Sequence, residues 1–98
     1  MLTPLFAPDA SRVLDDLERN PALDRLLEAV WDTIDLISEQ PTSREARRRA
    51  IRSPKGHSVW MVRVPNRHTE EPWIVLWQPQ GEDALIAYIG PDNFGKMP

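Results

Sequence analysis

The stretch NPALDRLLEAVWDTIDLISEQP, residues 20–41, decides how the first half of this chain folds. Its apolar residues recur every three or four positions, which is the spacing of one wide apolar face on an α-helix. These residues are Leu23, Leu26, Leu27, Val30, Trp31, Ile34 and Ile37. Asn20 is a good N-cap, Pro21 suits the first helical position, and Pro41 ends the pattern. The stretch therefore predicts a helix over residues 21–39.

A shorter apolar pattern precedes this helix. Val13, Leu14 and Leu17 form a stripe within residues 8–19, and Pro8 suits a first helical turn, where its missing N–H is not needed. The Asn-Pro pair then interrupts the chain and restarts it. Two consecutive helices joined in this way predict a helical hairpin.

A third, shorter helix is predicted after Pro41. Thr42, with Glu45 three residues later, fits a capping box. Residues 43–51 contain four arginines and few apolar anchors, so we expect this helix to lie on the surface. A turn is predicted at residues 53–56, which read Ser-Pro-Lys-Gly.

The second half of the chain predicts three strands, over residues 58–64, 73–78 and 83–89. The middle strand, WIVLWQ, is almost entirely apolar, so we expect it at the centre of a sheet and covered on at least one face. The connections, residues 65–72 and 79–82, are short and join the strands into an antiparallel meander.

Residues 2–6 are a weaker strand candidate for the sheet edge, because Pro4 has no N–H to donate to a sheet. A chain of 98 residues makes one small domain, residues 1–98. Together the elements predict an α+β fold in which an N-terminal helical hairpin packs on a small antiparallel sheet.

The composition, 41% hydrophobic and 28% charged residues, is typical of a soluble globular protein. Cysteine is absent, which excludes disulfides and thiolate metal sites. No apolar run approaches the roughly 18–20 residues of a membrane helix. The N-terminus also lacks the basic and apolar regions of a signal peptide. We therefore expect a cytoplasmic protein that does not associate with membranes.

The net charge of −3 hides an asymmetry along the chain. Residues 1–40 and 68–98 carry net charges of −6 and −4, whereas residues 41–67 hold eight bases and one acid, Glu45. The densest part of this basic block is Arg44, Arg47, Arg48, Arg49, Arg52 and Lys55. Such a block predicts electrostatic binding of an RNA or DNA backbone. Two alternatives stay open: it docks an acidic protein segment, from a partner or from this chain's own helices, or it is a solvated helix face.

Two segments of the chain resemble a known protein family, and the order of edge strand, helical hairpin and meander fits the same family. They are FAPDASRVLDDLERNPALDRLLEAVWDTIDLISEQP, residues 6–41, and VWMVRVPNRHTEEPWIVLWQPQGEDALIAYIGP, residues 59–91. Both resemble the RelE/ParE superfamily of toxins from type II toxin–antitoxin systems. The resemblance implies a curved antiparallel sheet with the hairpin on one face, and a cognate antitoxin that neutralises the toxin in a hetero-oligomer. RelE-like members cleave mRNA on the ribosome, whereas ParE-like members act on DNA gyrase.

The chain matches this family at some basic positions and departs from it at others. Arg63 matches the basic position of the family's first long strand. On the next strand, Trp73-Ile74-Val75 stands where the family often has an arginine, and Gly90-Pro91-Asp92 stands where it often has a base. These departures favour an alternative, a non-enzymatic binding module on the same scaffold, such as a ParE-like gyrase inhibitor or a degenerate toxin. An interaction domain outside toxin–antitoxin biology is a third interpretation.

RNA cleavage without a metal needs a base for the 2′-hydroxyl, an acid for the leaving oxygen and cations for the phosphate. The catalytic candidates are Arg63, Arg67, His68 and Tyr88. His68 is a candidate acid or base, because histidine is the residue type suited to proton transfer near neutral pH, and the two arginines suit bidentate binding of a phosphate. The alternative is that residues 66–71 form only a solvated hairpin loop.

Four tryptophans offer a further signal, because Trp73 and Trp77 fall on the same face of their strand and could stack bases. We expect Trp60 and Trp77 in the core, with Trp31 as a helix contact, and Trp73 as the most exposed of the set.

Metal binding has no support in the sequence. His57 and His68 are eleven residues apart, with no third ligand at a familiar spacing, and His57 reads as a turn residue. No metal or other cofactor is therefore predicted.

Overall fold

The computed structural model describes residues 1–52, 58–65 and 71–92. Within these residues the chain is an α+β fold in which two helices pack against a five-stranded open sheet. The elements are β1 (Thr3–Phe6), α1 (Pro8–Glu18), a 3-10 turn (Pro21–Leu23), α2 (Asp24–Glu39), β2 (Arg49–Arg52), β3 (Ser58–Arg63), β4 (Trp73–Gln80) and β5 (Asp83–Pro91).

The helical hairpin is confirmed, except that the first three residues of the second predicted helix form the 3-10 turn and α2 begins at Asp24. Asn20 Oδ1 accepts a hydrogen bond from the Ala22 N–H at 3.1 Å, so Asn20 caps the restart of the chain as expected. The predicted apolar stripes face inward. The residues that the two helices bury are Ala10, Leu14, Leu17, Leu26, Ala29, Val30, Thr33, Ile34 and Ile37.

The sheet has the order β1-β5-β4-β3-β2. The predicted meander is confirmed, since β3, β4 and β5 are antiparallel neighbours and the apolar strand β4 lies at the centre. The prediction of an antiparallel sheet is wrong at one edge, because β1 pairs parallel to β5, with Thr3 opposite Asp83. Contacts with the end of α2 hold β1 there. The Leu2 N–H donates to Ser38 O at 2.8 Å, and the Ser38 hydroxyl donates to Leu2 O.

The third helix is not formed. Residues 41–48, called the turn segment below, make consecutive turns and bends, and the next four residues form the edge strand β2. The cap falls on Ser43 rather than on Thr42, because Ser43 Oγ accepts from the Ala46 N–H at 3.1 Å. Pairing of β2 with β3 satisfies backbone groups that a helix would otherwise satisfy. The tertiary contact therefore overrides a local helix preference.

The core lies between the helices and one face of the sheet. Trp77 is fully buried in it, Trp60 is half-buried against it, and both agree with the prediction. Trp73 is also half-buried against this core, so the expectation that it is the most exposed tryptophan on the sheet is not supported. The opposite face of the sheet carries a smaller apolar cluster of Met61, Ile74 and Leu76.

Candidate nucleic-acid interface

The turn segment is fastened to the core by its backbone. The indole Nε1–H of Trp77 donates to Ala46 O at 2.7 Å, and the side chain of Ala46 is fully buried. The Arg47 N–H donates to Ser43 O at 3.1 Å, which closes one turn. These contacts determine where the neighbouring arginines leave the surface of the protein.

Arg47 differs from the other arginines of the turn segment because it folds back onto the protein. Its Nε–H donates to Pro41 O at 2.8 Å. Its guanidinium carbon lies 5.2 Å from the ring centroid of Trp60 and 6.0 Å from that of Trp77, within the range of cation–π attraction. The sequence predicts that Arg47 binds nucleic acid. In the structure, one of its N–H donors and one face of its guanidinium instead make contacts within the protein.

Four arginines form an exposed basic strip along the β2–β3 side of the molecule, called the arginine edge below. They are Arg44, Arg48, Arg49 and Arg63. Within the described parts of the chain, none of the four has an ion-pair partner. Arg52 is the last residue of β2, and Lys55 lies outside the described residues.

Two adjoining clefts run along the arginine edge. The first cleft, of about 340 Å³, is lined by Arg44, Glu45, Arg47 and Arg48. The second cleft, of about 210 Å³, is lined by Leu36, Glu45, Arg48, Val62, Arg63 and Pro65. Arg48 and Glu45 line both, so the two clefts are neighbours. The second cleft lies beside the last residues of β3. Because β2 begins opposite Met61, no strand among the described residues covers the outer edge of β3 from Val62 onward.

The catalytic candidates are brought together only in part. Arg63 ends β3 and is exposed, while Arg67 and His68 lie outside the described residues, as does His57. The strand register places Arg63 and Tyr88 on the same face of the sheet, because Arg63 pairs with Ile74 and Tyr88 with Leu76. One strand lies between them and they are offset by two residues along the strands, which separates their backbones by about 12 Å.

The Tyr88 hydroxyl is engaged by its own strand. It donates to Pro91 O at 2.9 Å, and its ring lies over Gly90, where a Cβ would come within 2.6 Å of the hydroxyl oxygen. Burial raises the pKa of Tyr88, and the nearby Asp92 and Glu71 carboxylates raise it further. Tyr88 is therefore a hydrogen-bond donor at neutral pH and a poor proton acceptor.

Sequence reasoning missed Glu45 as a site residue. It was assigned to a capping box, but in the structure its exposed side chain lines both clefts. A signal was present, because Glu45 is the only acid among residues 41–67.

No group of three or more His, Cys, Asp or Glu side chains is placed to hold a metal ion in the part of the chain that the structure describes. None of the described helices combines the length and the apolar character needed to cross a membrane. No protein-family model, curated protein or solved structure matches this chain.

Proposed function

We propose that this protein is the toxin of a type II toxin–antitoxin system and that it inhibits translation in the cytoplasm by binding and cleaving mRNA. The observation that carries the proposal is the arginine edge. Three of its four exposed arginines, Arg44, Arg48 and Arg63, line two adjoining clefts, and none of the four has an ion-pair partner among the described residues. A polyanion releases counterions when it binds such a surface, which favours association at physiological salt.

The architecture belongs to the general α+β class that the resemblance implies. An edge strand, a helical hairpin and an antiparallel meander follow one another in the order that the resemblance to RelE/ParE toxins implies. The parallel pairing of β1 with β5 leaves the helices on one face of the sheet. Arg63 then stands on the last part of β3, beside the second cleft.

Phosphate binding is the step to which the described residues contribute. Arg48 and Arg63 line the same cleft and are able to hold the non-bridging oxygens of one phosphate or of two neighbouring phosphates. His68 is proposed as the proton-transfer group, and Arg67 as a further phosphate ligand. Tyr88 is proposed to act only as a donor, because its pKa is raised.

The test is induced expression in a bacterium, with labelled amino-acid incorporation, mRNA length and DNA supercoiling all followed. The wild-type protein is expected to arrest translation and shorten mRNA. The R44A/R48A variant is expected to lose most of this effect, whereas the matched control R12A/R25A, which removes two exposed arginines of the helices, should keep it. Growth arrest that R44A/R48A leaves intact would contradict the assignment of the arginine edge.

The proposed partner is a cognate antitoxin that neutralises the toxin in a hetero-oligomer. The basic surface favours an antitoxin segment that is acidic, because opposite charges steer association. Co-expression with the product of an adjacent small reading frame should restore growth. Growth that no such product restores would contradict the toxin–antitoxin assignment.

A non-enzymatic binding module, such as a gyrase inhibitor, is the second candidate. The observation in its favour is that the Tyr88 hydroxyl is occupied by Pro91 O and is a poor base. This candidate predicts intact mRNA together with altered DNA supercoiling. Toxicity that persists unchanged in both R63A and H68A would favour it over cleavage.

A further inference from the structure

Glu45 stands in an unusual position for an acid on a polyanion-binding surface. It is the one carboxylate among the described residues that line the two clefts, and it lines both of them. The other charged side chains described there are four arginines, Arg44, Arg47, Arg48 and Arg63. Any phosphate that enters either cleft therefore passes close to a negative charge.

No arginine that the structure describes forms a direct ion pair with this carboxylate. Among the described residues, Glu45 has neither an ion-pair partner nor a side-chain hydrogen bond. Its oxygens therefore keep their capacity to accept hydrogen bonds from a ligand. A carboxylate placed beside phosphates costs binding free energy through repulsion, unless the ligand supplies a donor to it.

The two kinds of polynucleotide differ in whether they supply that donor. A ribose carries a 2′-hydroxyl next to each phosphate, and this group donates as well as accepts hydrogen bonds. A deoxyribose has no such group, so DNA in the same clefts would meet the repulsion from Glu45 without this hydrogen bond in return.

We propose that Glu45 is a specificity-determining residue, which selects RNA over DNA by accepting a hydrogen bond from a ribose 2′-hydroxyl while Arg48 and the flanking arginines hold the adjacent phosphates. The inference rests on the proposed function, because it assumes that a polynucleotide occupies these clefts. The ligand is taken to be a single strand, whose sugar and phosphate groups are able to enter the two adjoining clefts.

The test is fluorescence polarisation with three single-stranded oligonucleotides of one sequence: RNA, DNA and 2′-O-methyl RNA. The wild-type protein should bind RNA about tenfold more tightly than DNA, which is the value of one hydrogen bond to a charged group. The 2′-O-methyl strand should bind no better than DNA, because it lacks the donor. In E45A the preference for RNA should fall below about threefold, mainly because DNA binds more tightly once the repulsion is removed.

The matched control is E18A, which removes an exposed acid of α1 away from the clefts and should keep the preference for RNA. Circular dichroism of each variant checks that the fold is retained. Equal binding of RNA and DNA by the wild type, or an unchanged preference in E45A, would overturn the assignment of Glu45. If the assignment of Glu45 fails but R44A/R48A still weakens RNA binding, the proposed function stands. A wild-type protein that binds neither RNA nor DNA would overturn both the assignment of Glu45 and the proposed function.

Discussion

Replacing Arg47 by methionine should destabilise the fold, although the residue belongs to a basic block that reads as a ligand surface. The substitution removes the Nε–H bond to Pro41 O and the positive charge over two indole rings, while it keeps most of the aliphatic stem. A hydrogen bond from a charged donor contributes about 1.5–3 kcal/mol, and a cation–π contact at a partly exposed site contributes about 0.5–1 kcal/mol. Arg47 is half-buried, so water screens both terms. We therefore expect a loss of about 2 kcal/mol.

Urea unfolding followed by circular dichroism measures this loss. With an m value of about 1–2 kcal/mol/M for a domain of this size, the midpoint should fall by about 1–2 M while m stays unchanged. The control is R48M, the same substitution at the next residue. Arg48 is exposed and makes no such contact with the described residues, so R48M should stay within about 0.5 kcal/mol of the wild type.

RNA binding should separate the same two variants in the opposite direction. Loss of one phosphate contact to a single strand makes the negative slope of log K against log salt shallower by about 0.7. R48M should show this change, whereas R47M, measured where it is folded, should keep a slope close to that of the wild type. Equal stability of R47M and R48M would refute the structural role of Arg47.

Three further predictions follow from described contacts. W77F removes the donor to Ala46 O and leaves space in the core, so the free energy of unfolding should fall by about 2–4 kcal/mol. The control is W31F, at a half-buried site, which should lower the free energy of unfolding by less. Tyr88 is the only tyrosine of the chain, so the ultraviolet absorbance of tyrosinate reports it alone, and its midpoint should lie above 10.0. The pKa of Tyr88 is higher in the folded protein than in the unfolded chain. The stability that the protonated hydroxyl contributes is therefore complete below the unfolded pKa and is lost as the pH rises through the folded pKa. A midpoint at or below 10.0 would contradict this burial. In G90A the added Cβ should push the Tyr88 ring away and break the hydrogen bond from its hydroxyl to Pro91 O. The titration midpoint of Tyr88 should then move back toward 10.0. An unmoved midpoint would show that the ring does not lie over Gly90.

The helical hairpin and the meander were predictable because their signals are local. Apolar spacing along α1 and α2 reports a helical face directly, and the Asn20-Pro21 pair reports the break between them. The apolar run of β4 likewise reports a central strand. In each case the information needed lies within a few residues of the element itself.

The third helix was mispredicted because the deciding contacts are distant in sequence. Residues 43–51 have good helix propensity, but β2 gains a hydrogen-bonded partner in β3, and Ala46 gains one in Trp77, which lies 31 residues away. The parallel pairing of β1 with β5 is decided in the same way, by strands from opposite ends of the chain. Local propensity does not report which distant residues a segment will pair with.

The candidate site shows the same division. The density of arginines between residues 44 and 49 already located the basic block. Only the tertiary structure separates Arg47, held over two indole rings, from the exposed Arg48, and only the tertiary structure brings Glu45 and Arg63 to one cleft.

By itself, the sequence determined the helices, the three meander strands and the place of the basic block, because hydrophobic period and charge are properties of neighbouring residues. The tertiary structure alone decided which strand edge receives β1, why residues 41–48 turn instead of forming a helix, and which arginines face solvent. The physical reason is that backbone hydrogen bonds and indole contacts between distant residues outweigh local preferences of a few tenths of a kcal/mol per residue.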